Sequence, residues 1–124
     1  MNANDLRLGY DDRGWRRATV PDGYQPVSDL LEGDIQGSQE ACDIYLEYFH
    51  AVRSGAIETW EGTGNACTLT LTREAALIDN EFSDKSCSLP IEALQAMIEA
   101  WKNFVGERSD PEQKLAERRA DAGP

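Results

Sequence analysis

Apolar positions alternate with polar ones in some stretches of the chain and recur every three or four residues in others. The switches between these two periods divide it into elements. In residues 5–20, Leu6, Leu8 and Tyr10 alternate with polar neighbours. Asp11-Asp12-Arg13-Gly14 then supplies a turn, with Gly14 free to adopt positive φ, and Trp15 to Val20 returns as a second strand that Pro21 ends. Residues 21–37 hold Pro21, Gly23, Pro26, Gly33 and Gly37 and read as a loop-rich connection, with a short helical turn over Val27 to Leu31. Ser38 is a good N-cap, and Glu40 follows where the helix dipole favours a carboxylate. Cys42, Tyr45, Leu46, Phe49 and Val52 share one face, and Gly55 supplies a stop, so a helix is predicted over 38–54.

Alternation then resumes. Ile57 to Glu61 is a strand candidate and Gly62-Thr63-Gly64-Asn65 a turn. Cys67-Thr68-Leu69-Thr70-Leu71-Thr72 alternates cleanly, with Cys and Leu expected inward and the threonines outward. Ala76 to Phe82 forms the next strand, with Ile78 and Phe82 on one face and Leu77, Asp79 and Glu81 on the other. Ser88 as cap and Pro90 in the first turn open a second helix, predicted over 89–105. Ile91, Leu94, Ile98, Trp101 and Val105 form its buried stripe and Gly106 ends it. The fold class is therefore α+β: an antiparallel sheet of about four or five strands, from an N-terminal hairpin plus a central meander, packed with two main helices. Residues 1–106 make a single domain, and the charged residues 107–124 are expected as a frayed or disordered C-terminal tail.

Charge changes this picture most. The chain carries 23 Asp and Glu against 12 Lys and Arg, a formal net charge of −11 on 124 residues. Such a surface repels nucleic acid and anionic membrane and speeds encounter with a basic protein. Residues 38–88 hold nine acids against Arg53, Arg73 and Lys85, which makes the first long helix and the meander the negative region. No apolar run approaches the about 20 residues needed to span a bilayer, and Met1 to Asp5 lacks the basic start of a signal peptide. A cytoplasmic protein is expected. Cys42, Cys67 and Cys87 are odd in number and form no CxxC pair, so each is read as a small buried apolar residue.

Reaction chemistry is sparse. His50 is the only histidine, at the edge of the apolar stripe, and reads as a structural imidazole. Gly62-Thr63-Gly64-Asn65 precedes a strand, where a phosphate loop needs a helix N-terminus. No catalytic residue, metal ligand or cofactor is expected. Glu40, Asp43 and Glu47 fall within about 60° of one another on the first long helix, opposite its apolar stripe. Asp79 and Glu81 project to one face of a strand, and Glu58 across the sheet would extend that patch. With Trp60 as an aromatic anchor, Glu40, Asp43, Glu47, Glu58, Asp79 and Glu81 are the candidate partner-binding residues.

The stretch from Trp60-Glu61-Gly62 through Gly64 to Leu71, Ile78 to Phe82, Leu89-Pro90-Ile91-Glu92 and Trp101-Lys102-Asn103-Phe104-Val105 resembles small acidic bacterial immunity proteins. These accompany the secreted toxins of contact-dependent inhibition and related polymorphic toxin systems. More weakly, the same stretch is similar to the uncharacterised YacL-type family. The first resemblance implies a compact α+β fold without a cofactor that inhibits a cognate toxin by binding it. A nuclease must present Lys and Arg to phosphate, so an acidic inhibitor can imitate its substrate. The expectation is an immunity protein, not an enzyme, acting on a basic, nuclease-type toxin. The alternatives are a cytosolic regulator or adaptor of YacL type, whose charge serves solubility, and a carboxylate-based hydrolase.

Overall fold

In the computed structural model, which describes residues 1–121 with side-chain detail for 1–107, the chain forms six strands and three main helices. Strands β1 (Arg7–Tyr10) and β2 (Arg16–Thr19) pair antiparallel around the expected Asp11–Gly14 turn. Asp11 builds that turn by accepting from the Arg13 and Trp15 amides, both at 2.9 Å, while Gly14 takes φ 81°. The hairpin is a sheet of its own. A second sheet has the order β3-β4-β5-β6, from β3 (Trp60–Thr63), β4 (Cys67–Leu71), β5 (Ala75–Asn80) and β6 (Ser86–Pro90), all antiparallel. Between the sheets in sequence lie α1 (Gln25–Asp29), which runs on as a π-helical turn over Leu30–Ile35, and α2 (Gln39–Arg53). The last helix, α3, spans Ile91–Asp121.

The core unites the stripes of α2, β4 and α3 that the periodicity foretells with Cys87 and Leu89 of β6 and Ile35, which it does not. Cys67, Leu69, Leu71, Ala76, Ile78, Cys87 and Leu89 line the inner face of the large sheet. Against them stand Val27, Leu30, Leu31 and Ile35 from the α1 segment and Leu94, Met97, Ile98, Trp101 and Val105 from α3. From α2 come Cys42, Phe49 and Val52, and Ser38 caps that helix by accepting the Ala41 amide at 3.0 Å. Trp101 is buried whole because its indole N–H donates to the Gln36 carbonyl at 2.7 Å. No helix among the described residues is long and apolar enough to cross a membrane.

Four local expectations are corrected. In the connection 21–37 the helical turn expected over Val27 to Leu31 is present but longer, running from Gln25 to Ile35: Pro26 sits at the helix start, where its missing N–H costs nothing. The first meander strand is Trp60–Thr63 rather than 57–61, since Gly62 lies inside it beneath the Trp60 indole. Ser86–Pro90 is a strand, so Ser88 is no cap and Pro90 closes β6. Helix α3 then starts at once, its first N–H donating from Ile91 to the Glu74 carbonyl at 3.1 Å. Gly106 does not end α3. Its bare Cα lets Gln39 of α2 approach, and the Gln39 amide donates to the Lys102 carbonyl at 3.2 Å. The expected frayed or disordered tail, 107–124, lies outside the described residues in its side chains from 108 on and altogether from 122 on.

Candidate protein interface

Side-chain parity splits the expected acidic residues between two faces. Glu40, Asp43 and Glu47 all stand exposed along one ridge of α2, as their spacing requires. Asp43 leans toward α3 and pairs with Lys102 at 2.5 Å, which raises the Lys102 pKa through that hydrogen bond. Among the described residues Glu40 and Glu47 have no ion-pair partner. Asp79 and Glu81 point to the outer face of the large sheet. There the register sets Thr63, Thr68, Asp79 and Ser86 in one row. Glu81 is held in place: it accepts from the Thr68 hydroxyl at 2.5 Å, and Thr63 in turn donates to Thr68 at 2.9 Å. Glu58 does not join them. It lies before β3, beyond the Leu71 end of β4 and so at the opposite end of the strand from the Thr63 row. It lines a recess with Arg73 and Glu74 instead.

Trp60 faces α2, where its indole stacks on Tyr48 with centroids 4.3 Å apart and meets Tyr45 edge-on at 6.2 Å. A Cβ built on Gly62 would fall 2.3 Å from that ring, so glycine alone leaves room for the indole to lie across the strand. Ile44, Tyr45, Tyr48, Trp60, Gly62 and Thr63 together enclose a groove of about 180 Å³ between α2 and β3. Ile44 is 49% and Tyr48 37% exposed, large figures for apolar and aromatic side chains beside an acidic ridge. Ile44 sits four residues after Glu40 and three before Glu47, so the groove and the unpaired carboxylates share one helix surface.

Ile44 and Tyr48 are absent from the sequence-based candidates. Their signal was present, since an apolar pair at i, i+4 lies off the stripe formed by Cys42, Tyr45, Leu46, Phe49 and Val52. Phe82 was expected to face the same way as Ile78. It stands at the tip of the β5–β6 turn instead, 81% exposed, because the Asn80 side chain accepts from the amides of Phe82 and Ser83 at 2.8 and 3.0 Å. His50, read as a structural imidazole, is exposed on α2.

Other carboxylates serve the fold. Glu32 accepts from the Ala18 amide at 2.7 Å and the Ser28 hydroxyl at 3.2 Å, and pairs with Arg17 at 3.1 Å. Asp34 accepts from the Ala66 and Cys67 amides at 2.8 and 3.0 Å, and Asp29 from the Asn80 amide group at 2.9 Å. The α1 segment thereby fastens the hairpin, the β3–β4 turn and the end of β5. Among the described residues no group of three or more His, Cys, Asp or Glu side chains is arranged to hold a metal ion. The three thiols are buried, and loss of solvation is the first cause raising them: Cys42 and Cys87 to about 11, Cys67 to about 12. No protein family, curated protein or solved structure compared with the chain gave a match.

Proposed function

We propose that the chain is an immunity-type binding module. It captures a basic, nuclease-type toxin domain through the α2–β3 face and works by occupying that partner rather than by turnover. The observation that carries the reading is the stacked, partly exposed Tyr48–Trp60 pair beside two exposed carboxylates, Glu40 and Glu47, that have no ion-pair partner among the described residues. Aromatic residues in a desolvated centre with charges at the rim are the usual anatomy of a tight interface. Net charge draws the partner in, and the aromatic centre retains it.

The test is co-expression with each basic toxin domain that the neighbouring genes encode. Growth is restored by the native chain and lost with Glu40→Gln/Glu47→Gln plus Trp60→Ala. In vitro, association slows steeply between about 0.01 and 0.15 M salt, as the Debye length shrinks from about 30 to about 8 Å. An association rate indifferent to salt removes the electrostatic mechanism. A second reading, the YacL-type regulator without a toxin partner, draws on the carboxylates engaged internally: Asp29, Glu32, Asp34, Asp43 and Glu81. Unimpaired growth inhibition in the co-expressing strain favours it.

A further inference from the structure

Strand β3 is the edge of the large sheet, and its pairing leaves a defined set of main-chain groups turned outward. The Gly64 N–H donates to the Cys67 carbonyl at 2.9 Å. Alternation along an antiparallel ladder then makes Gly62–Leu69 and Trp60–Leu71 the next hydrogen-bonded pairs. The N–H and C=O groups of Glu61 and Thr63 therefore point away from β4. Among the described residues no strand lies on that side. Edges that must stay unpaired commonly carry Lys, Pro or a bulge. Trp60-Glu61-Gly62-Thr63 is short and carries one charge, Glu61, but it has no Lys or Pro and pairs without a break, whereas β6, at the other edge, ends on Pro90.

The groove opens along this same edge. At about 180 Å³ it is smaller than the about 300–1,000 Å³ of small-molecule sites, and it suits an inserted side chain. We propose that an extended basic segment of the partner adds to β3 as a fifth strand, with an apolar side chain in the Ile44–Tyr48–Trp60 groove and Lys or Arg at the neighbouring positions. This rests on the reading of the α2–β3 face as partner-facing and specifies how that face binds. The residue paired with Gly62 shares its face and packs against the indole. The residues paired with Glu61 and Thr63 lie on the outer face, beside Glu61 and the row holding Asp79. Charge selects the occupant: a second copy of this chain would bring together two molecules of net charge −11 and set Glu61 near its own counterpart.

Two short synthetic peptides of identical composition test this on the full-length, isotope-labelled protein. One alternates Lys with Val and Leu; its isomer has all lysines at one end. The alternating peptide binds at least about tenfold more tightly, and its binding slows hydrogen exchange at the Glu61 and Thr63 amides. Methylating alternate peptide nitrogens lowers its affinity about tenfold. Thr63→Pro, which removes an outward main-chain donor and the side-chain bond to Thr68 but no main-chain bond to β4, does the same. Equal binding of the isomers, or unchanged exchange at Glu61 and Thr63, overturns strand addition. If both isomers then still weaken with Glu40→Gln/Glu47→Gln, the acidic-surface reading stands without it. If neither peptide responds to those changes, both readings fall.

Discussion

Asp34 accepts from two main-chain amides at once, and both would otherwise be turned toward the interior of the β3–β4 turn without an acceptor. Removing a charged acceptor from half-buried donors leaves them unpaired. Asp34→Ala is therefore expected to cost about 2–3 kcal/mol, read as a lowered urea midpoint, whereas Glu47→Ala on the exposed ridge costs within about 0.5 kcal/mol. A stability loss at Asp34 no larger than at Glu47 would refute the clasp. The contrast marks the limit of what single residues disclose. That Glu40, Asp43 and Glu47 share a face is legible, because side-chain direction follows helical spacing. That Asp43 meets Lys102, and that Glu81 meets Thr68, depends on elements brought together from afar, and no local pattern encodes it.

At the scale of elements, legibility follows length and regularity. α2 has a cap, a stripe and a glycine beyond its end, and its observed bounds differ from the expected ones by a residue at each side. β4 alternates and is a central strand. β6 was missed because Ser-Cys-Ser-Leu-Pro is short and ends in a residue that serves equally well to start a helix. The α1 segment extends to both sides of the short helical turn expected over Val27 to Leu31, because the glycines and prolines around it read as breakers. Pro26 is in fact a start signal, and Gly33 is accommodated within the π turn. Glycine misled again at 62 and 106, where the bare Cα admits a neighbour rather than a turn or a stop. The two positions should respond differently to alanine. Gly62→Ala must displace a large ring and is expected to cost about 1–3 kcal/mol, with a red-shifted indole emission as Trp60 leaves Tyr48. Gly106→Ala displaces only the end of the Gln39 side chain. The lost hydrogen bond is offset by about 1 kcal/mol of helix propensity, so the change stays near zero. Equal losses at both sites would show that neither contact has the role described.

For the molecule as a whole, charge is unevenly laid out. The hairpin, with Arg7, Arg13, Arg16 and Arg17 against Asp5, Asp11 and Asp12, is mildly positive, while residues 38–88, with nine acids against three bases, and residues 21–37, with four acids and no Lys or Arg, carry the deficit. Acid and alkali therefore act on different parts. In the hairpin turn, the Trp15 amide is the first cause holding Asp11 below its ordinary value. That contribution is present at neutral pH and fades as acid protonates the carboxylate. On the alkaline side burial also raises Tyr45, and the thiols act beside it. Each is raised in the folded state, so their contribution is complete below the ordinary thiol value of 9.0. It is lost as pH climbs from there through about 11 for Cys42 and Cys87 and about 12 for Cys67. Urea midpoints are expected to hold steady through pH 8 and fall across that window, and Cys67→Ala should flatten the fall. An unchanged alkaline slope in that variant would place its origin elsewhere.

The passage from β6 to α3 has no spacer: Pro90 is the last strand residue and Ile91 the first helical one. A single residue inserted there would rotate the helix by about 100°, swinging Leu94, Ile98 and Trp101 off the sheet together. Length variation among related chains should therefore gather in the exposed connection 54–59, and this one junction should neither grow nor shrink.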